Sequence, residues 1–124
     1  MTKAIIYLIG VNGSTLKLYC NHDGYVRRGL GEALYRFCER QEPGVSPAEV
    51  LYALFIDKDN RLDLNRSGDE IVDYVYRITC SPSGRPQLMC WKVDWHGDKR
   101  PLAERMGDPV DIESEINRKD EDEW

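Results

Sequence analysis

The residue types best suited to chemistry lie close together in residues 19–31. His22 and Asp23 are types that form acid/base pairs, and the guanidinium groups of Arg27 and Arg28 suit an anion. Two glycines near the start of a predicted helix would let backbone N–H groups approach a phosphate. One interpretation is therefore a binding site for a nucleotide or phosphate. Its residues would be His22, Asp23, Gly24, Tyr25, Arg27, Arg28, Gly29 and Gly31.

The same segment also has a structural interpretation. Asp23-Gly24 is a turn dipeptide, Tyr25 can pack as a staple, and the glycines can let helix and sheet approach closely. The spacing lacks the Lys-Ser/Thr pair of the phosphate loop and the full dinucleotide-binding fingerprint. Both interpretations stay open at the level of the sequence.

The rest of the sequence predicts no catalytic residue, metal site or cofactor. Residues 57–63 alternate acids as a calcium loop does, but Leu62 stands where that loop needs glycine and Gly68 where it needs glutamate. The cysteines show no Cys-x-x-Cys spacing, and we expect buried thiols at Cys20, Cys38, Cys80 and Cys90. The aromatic residues of the last predicted strands lack a basic surround, so we expect them to face the core or a protein partner. They are Tyr74, Tyr76, Trp91 and Trp95.

Two predicted hairpins flank two predicted helices. The first hairpin covers residues 4–20 with a two-residue turn at Asn12-Gly13, and the second covers residues 72–95. Apolar residues at helical spacing predict a helix from Leu30 to about Glu42, and Ser46-Pro47 opens a second, shorter one. The order ββααββ predicts an α+β fold, in which an antiparallel four-stranded sheet carries both helices on one face.

The C-terminal region differs from the rest in charge. Residues 1–110 carry fifteen acids and fifteen bases, so the net charge of −5 belongs to residues 111–124. We expect a single domain over residues 1–106 and a weakly ordered acidic tail over 107–124, although Leu102 with Met106, or Ile112 with Ile116, is spaced for a short helix.

A neutral body with an acidic tail lacks the basic patch that dominates nucleic-acid affinity. We therefore expect no direct binding to DNA or RNA, and a partner protein with a basic surface instead. The predicted partner-binding residues are Asp111, Glu113, Glu115, Asp120, Glu121, Asp122 and Glu123. The longest apolar stretch, Ala4 to Ile9, is too short to cross a bilayer, so we expect no membrane association.

The turn and helix start resemble a family of small bacteriophage and prophage proteins. The residues that carry the resemblance are Leu18 to Tyr25, which form a Tyr-Cys-x-His-Asp-Gly-Tyr turn, and Gly29 to Tyr35, with Gly-x-Gly at the helix start. This chain has one residue fewer between His22 and Asp23 than the family pattern. The later strands at residues 73–76 and 91–93 are similar to the closing hairpin of that family. The resemblance covers about residues 16–95, with strong motif similarity only over 18–35, and it implies a mobile-element protein of the bacterial cytoplasm.

Small phage accessory proteins of this kind often act as inhibitors that occupy a surface of a host protein. We expect a non-enzymatic, anti-CRISPR-like inhibitor of a nucleic-acid-handling defence component, with the acidic segment as its contact surface. The alternative is a nucleotide or phosphate binder or hydrolase, for example a defence-signal sponge, that uses the loop at residues 22–31. A third hypothesis is an assembly module that forms a homodimer.

Overall fold

A computed structural model describes residues 2–20, 24–58, 62–63, 72–93 and 101–117. Within these ranges the chain forms six strands and four helices. The strands are β1 (Ala4–Ile9), β2 (Thr15–Cys20), β3 (Leu62–Asp63), β4 (Tyr74–Thr79), β5 (Gln87–Val93) and β6 (Met106–Pro109). The helices are α1 (Leu30–Arg40), α2 (Pro47–Lys58), α3 (Leu102–Arg105) and α4 (Ile112–Asn117). The fold is α+β, as predicted.

The sheet is mixed, and the prediction of a four-stranded antiparallel sheet is wrong in this detail. Its strand order is β3-β2-β1-β4-β5-β6. Both predicted hairpins are present, β1 with β2 and β4 with β5. They join through their first strands, β1 and β4, which run parallel with Ile6 opposite Tyr76. The joint between the hairpins is therefore parallel, while each hairpin is antiparallel.

The sequence of β1 explains its central position. The strand reads Ala-Ile-Ile-Tyr-Leu-Ile, and Ala4, Ile5, Ile6 and Leu8 are fully buried. Apolar residues at successive positions point to both faces of a sheet, so such a strand is stabilised only where both faces are covered. Alternation of apolar and polar residues, by contrast, would have suited an edge or a half-exposed strand.

The first hairpin has a three-residue loop rather than the predicted two-residue turn. The Gly10 N–H donates to the Ser14 carbonyl at 2.8 Å, and the Gly13 N–H donates to the Gly10 carbonyl at 3.0 Å. Gly13 has φ +84°, the left-handed conformation that follows a tight turn in three-residue loops. The Asn12 side chain accepts a bond from the Ser14 N–H at 3.1 Å. Gly13 therefore supplies the positive φ that the loop requires, but as the third residue of a three-residue loop and not as the second residue of a two-residue turn.

The larger part of the core lies between the sheet and three of the helices. It joins the inner residues of β1 and β4 to α1, α2 and α4. In α1, Leu30, Leu34, Phe37 and Cys38 are buried, which confirms the predicted amphipathic helix. The start of α2 is stabilised as predicted, because the Ser46 hydroxyl accepts a bond from the Glu49 N–H at 3.2 Å.

The opposite face of the sheet carries a second, smaller cluster. Ile5, Tyr19, Val75 and Val93 are buried there, and Leu102 of α3 packs against them. The two predicted helices, α1 and α2, both contribute to the larger core, and α3 is an additional short helix on the opposite face. The alternating apolar residues of β5 require cover on this face too, and the short α3 contributes to it.

The C-terminal region is part of the folded unit as far as residue 117. β6 pairs with β5, with Met106 opposite Val93, and α4 contacts α1. The predicted boundary at residues 106 and 107 thus falls inside β6, while residues 118–124 lie outside the described residues. Within the described ranges, every helix is too short or too polar to cross a bilayer.

Candidate functional site

The loop before α1 was the first predicted site, and the structure describes it from Gly24 onward. His22 and Asp23 lie outside the described residues, so the predicted acid/base pair stays a prediction. The Gly24 N–H donates to the Thr2 carbonyl at 3.0 Å, and the Gly24 carbonyl accepts a bond from the Tyr76 hydroxyl at 2.6 Å. The loop is thus fixed on one side to the segment just before β1 and on the other side to β4.

Gly31 serves close packing in this structure. A Cβ atom at Gly31 would lie 2.5 Å from the Cα of Val26 and 2.9 Å from the Tyr76 hydroxyl. The Gly31 N–H donates to the Tyr25 carbonyl at 2.9 Å, and the Glu32 N–H donates to the Val26 carbonyl at 2.7 Å. Two backbone N–H groups in the first turn of α1 are therefore already used within the chain, and they are not directed at a ligand.

The remaining predicted ligand residues stand at the surface of this loop. Tyr25 is 49% exposed, Arg28 is exposed, and Arg27 and Gly29 are partly buried. Arg28 has φ +59°, which is uncommon for a residue with a side chain. An anion bound here would have to be held by side chains such as those of Arg27 and Arg28, without the amides of Gly31 and Glu32.

The acidic segment begins with an ordered helix. We call Asp111, Glu113 and Glu115 the acidic edge; the other predicted partner-binding acids, Asp120, Glu121, Asp122 and Glu123, lie outside the described residues. Asp111 caps α4, because its Oδ1 atom accepts a bond from the Ser114 N–H at 3.1 Å. Asp111 and Glu113 are exposed, and Glu115 is partly buried.

Two isoleucines attach α4 to the rest of the molecule. Ile112 is only 7% exposed and belongs to the main core, and Ile116 packs against that core one turn later. This is the i, i+4 spacing that predicted a short helix. The acidic edge is therefore carried on a helix whose position is set by apolar packing.

A cleft of about 260 Å³ lies beside the acidic edge, and we call it the Tyr35 cleft. Its floor is apolar, and two carboxylates of the acidic edge border it. The residues that matter for its chemistry are Tyr35, Leu88, Val110, Asp111, Ile112 and Glu113. Three elements form it, because Tyr35 belongs to α1, Leu88 to β5 and Ile112 to α4.

The electrostatic environment of this cleft is negative. Desolvation raises the pKa of the Tyr35 phenol, and the nearby carboxylates of Glu113, Glu39 and Asp111 raise it further. The positive charge of Arg36 acts in the opposite direction but does not cancel them. The phenol is therefore neutral at physiological pH, and the field at the cleft favours a cation.

The cysteines are buried thiols, as predicted. Burial, with a smaller contribution from the neighbouring Cys80, raises the pKa of Cys38 to about 12. Burial also raises the pKa of Cys90 to about 12, although a hydrogen bond with Tyr76 works against this shift. Thiols with such pKa values stay protonated at neutral pH, so Cys38 and Cys90 are poor nucleophiles and metal ligands.

The predicted aromatic cluster is divided between the two faces of the sheet. Tyr76 is buried and stacks with Tyr74 at a ring-centroid distance of 6.2 Å. Trp91 packs against the smaller cluster on the opposite face, and the Arg77 guanidinium lies 5.0 Å from its ring centroid. Trp95 lies outside the described residues. Tyr76 therefore packs in the core. The described residues Tyr74, Tyr76 and Trp91 do not share one face of the sheet on which bases could stack.

The Tyr35 cleft is the feature that the sequence did not predict. Tyr35 follows the buried Leu34 in α1, so helical spacing places it beside the apolar stripe, but nothing in its neighbourhood indicates contact with residues 110–113. The only signal was the pair Ile112 and Ile116, whose spacing implies that α4 covers an apolar surface.

Searches of protein-family models, of curated proteins and of solved structures found no match to this chain. The resemblance to small phage proteins therefore stays a prediction. The functional proposal rests on the geometry and charge described above.

Proposed function

We propose that this chain is a small phage-type accessory protein that binds a basic surface of a host protein and thereby inhibits it. The partner class that fits best is a nucleic-acid-handling defence component, as for anti-CRISPR inhibitors. Such proteins bind nucleic acid through lysine and arginine side chains, and an array of carboxylates can compete for them. On this proposal the protein acts by binding alone, in the bacterial cytoplasm.

The observation that carries the proposal is the acidic edge itself. The net negative charge of the chain is confined to residues 111–124, and α4, the first part of this segment, is held against the core by Ile112 and Ile116. Carboxylates on a fixed helix lose less conformational freedom on binding than carboxylates on a disordered chain. The arrangement therefore favours recognition of one particular basic surface.

A pair of matched charge variants tests this proposal. Asp111→Asn with Glu113→Gln removes two charges from the acidic edge, and asparagine keeps the N-cap of α4. Glu42→Gln with Glu104→Gln removes two charges from exposed positions, one between α1 and α2 and one on α3, and serves as the control. Truncation after Val110 is unsuitable, because it would also delete the buried Ile112.

The experiment is an affinity capture from bacterial lysate, read by mass spectrometry, with the wild type and both variants. We expect a nucleic-acid-binding protein to be retained by the wild type and the control and lost with the acidic-edge variant. Added wild-type protein should then lower the affinity of that purified partner for its nucleic acid. Equal capture by both variants, or a partner whose nucleic-acid affinity does not change, would contradict the proposal.

A further inference from the structure

We propose that the Tyr35 cleft receives an arginine side chain of the partner protein. This inference rests on the proposed function, because it names the group that the acidic edge would recognise. It follows from the size of the cleft, its apolar floor, and the charges that border it.

The size of the cleft fits one long side chain. Its volume of about 260 Å³ is below the roughly 300 Å³ at which pockets begin to bury whole drug-sized ligands. Its position is also suitable, because the exposed Asp111 and Glu113 border it at the surface of the molecule. A partner can therefore insert a side chain here while its backbone stays outside.

The lining combines buried or half-buried apolar residues with exposed acidic ones. Leu88, Val110 and Ile112 offer apolar contacts for a methylene stem, and Asp111 and Glu113 offer carboxylates for a charged end. Asp111 uses Oδ1 to cap α4, and a carboxylate has a second oxygen that can accept a further bond. The cleft thus offers carboxylate acceptors to a cation that enters from the surface.

Tyr35 favours arginine over lysine. A guanidinium group is planar, stacks on aromatic rings and binds carboxylates through two parallel hydrogen bonds. It is also more weakly hydrated than an ammonium group, so its desolvation in a half-buried cleft costs less. The nearby Arg36 forms an i, i+4 ion pair with Glu32 on the same helix, with 4.0 Å between Arg36 Nε and Glu32 Oε2.

The test uses the isolated ¹⁵N-labelled protein and three small probes: N-acetyl-arginine amide, N-acetyl-citrulline amide and N-acetyl-lysine amide. Citrulline has nearly the same shape as arginine but no charge. We expect saturable chemical-shift changes at Tyr35, Val110 and Ile112 with the arginine probe, with half-saturation at ~1 to 10 mM. The lysine probe should bind at least about threefold more weakly, and citrulline should not saturate.

Variants of the cleft locate the binding. Glu113→Gln should weaken the arginine probe by about threefold to fivefold, since an exposed ion pair contributes up to roughly 1 kcal/mol. Tyr35→Phe keeps the ring and should preserve binding, whereas Tyr35→Leu should weaken it. Glu104→Gln on α3 is the control and should leave binding unchanged. The dispersion of the amide spectrum reports whether each variant is folded.

Three outcomes would overturn the inference: equal binding of the arginine and citrulline probes, equal binding of the arginine and lysine probes, or shift changes that map away from the cleft. None of them depends on a host partner. If the acidic-edge variant loses its partner in the lysate experiment while the arginine probe fails to bind, the proposed function stands and the cleft assignment falls.

Discussion

At the scale of single residues, Tyr76 contacts the loop that the sequence predicts to bind a ligand. Its hydroxyl donates to the Gly24 carbonyl at 2.6 Å and lies close to Gly31. The same sequence pattern arises from two different roles of glycine. In one the glycine allows the backbone to approach a phosphate, and in the other it allows a helix to approach a sheet. The sequence could therefore predict that Gly31 matters, but not for which contact.

The buried thiols lead to a prediction about alkaline pH. Cys38 and Cys90 have pKa values raised to about 12 in the folded protein, against about 8.5 in an unfolded chain. Above about pH 9 the unfolded chain releases these protons and the folded protein keeps them, so the free energy of unfolding must fall as pH rises. The expected loss approaches about 1.4 kcal/mol per pH unit for each thiol.

Urea denaturation at a series of pH values between about 8 and 10.5 measures this loss. The control is Cys38→Ala with Cys90→Ala, which is less stable at every pH but should show a shallower fall between those values. The comparison therefore concerns the slope and not the absolute stability. Equal slopes for the wild type and the double variant would show that these two thiols are not the source.

At the scale of elements, α4 depends on its packing more than on its own helical tendency. Six residues are too few to form a stable helix alone in water. Ile112 supplies the buried contact with the main core, and the Asp111 cap satisfies one backbone N–H of the first turn. The acidic edge and the Tyr35 cleft therefore exist only while Ile112 stays in place.

Ile112→Ala should destabilise the protein by about 2 kcal/mol or more, the typical range for deletion of buried methyl groups. It should also abolish binding of the arginine probe, because Ile112 forms part of the cleft. Ser114→Ala on the exposed side of α4 is the matched control and should change stability by less than about 0.5 kcal/mol. Urea denaturation followed by fluorescence measures the stabilities of the two variants. Equal stabilities of Ile112→Ala and Ser114→Ala would mean that α4 does not depend on the contact of Ile112 with the core.

The sequence predicted most of the elements but not how they join. Periodicity located β1, β2, α1, α2, β4 and β5 because local side-chain patterns reflect which face is buried. The parallel joint of β1 and β4 brings together residues about 70 positions apart, such as Ala4 and Tyr74, and no local pattern specifies it. The apolar run of β1 was the available signal, since it requires cover on both faces.

At the scale of the whole molecule, the net charge is concentrated in the C-terminal residues 111–124. The described body of the chain contains exposed bases such as Arg28 and Arg40 as well as acids, while residues 111–124 carry the entire net charge of −5. A molecule of this kind has a field that orients it toward a positive surface before contact. Such steering acts on the rate of association more than on the lifetime of the complex.

The last prediction concerns this steering and uses the partner captured in the lysate experiment. Association and dissociation rates are measured by biolayer interferometry over a series of sodium chloride concentrations. We expect the association rate of the wild type to fall steeply with salt, because salt screens exposed charges beyond a distance of about 8 to 10 Å. Asp111→Asn with Glu113→Gln should give a shallower dependence, and Glu42→Gln with Glu104→Gln should follow the wild type. If both double variants show the same salt dependence, the steering arises from net charge alone, and the position of the acidic edge does not affect the rate of association.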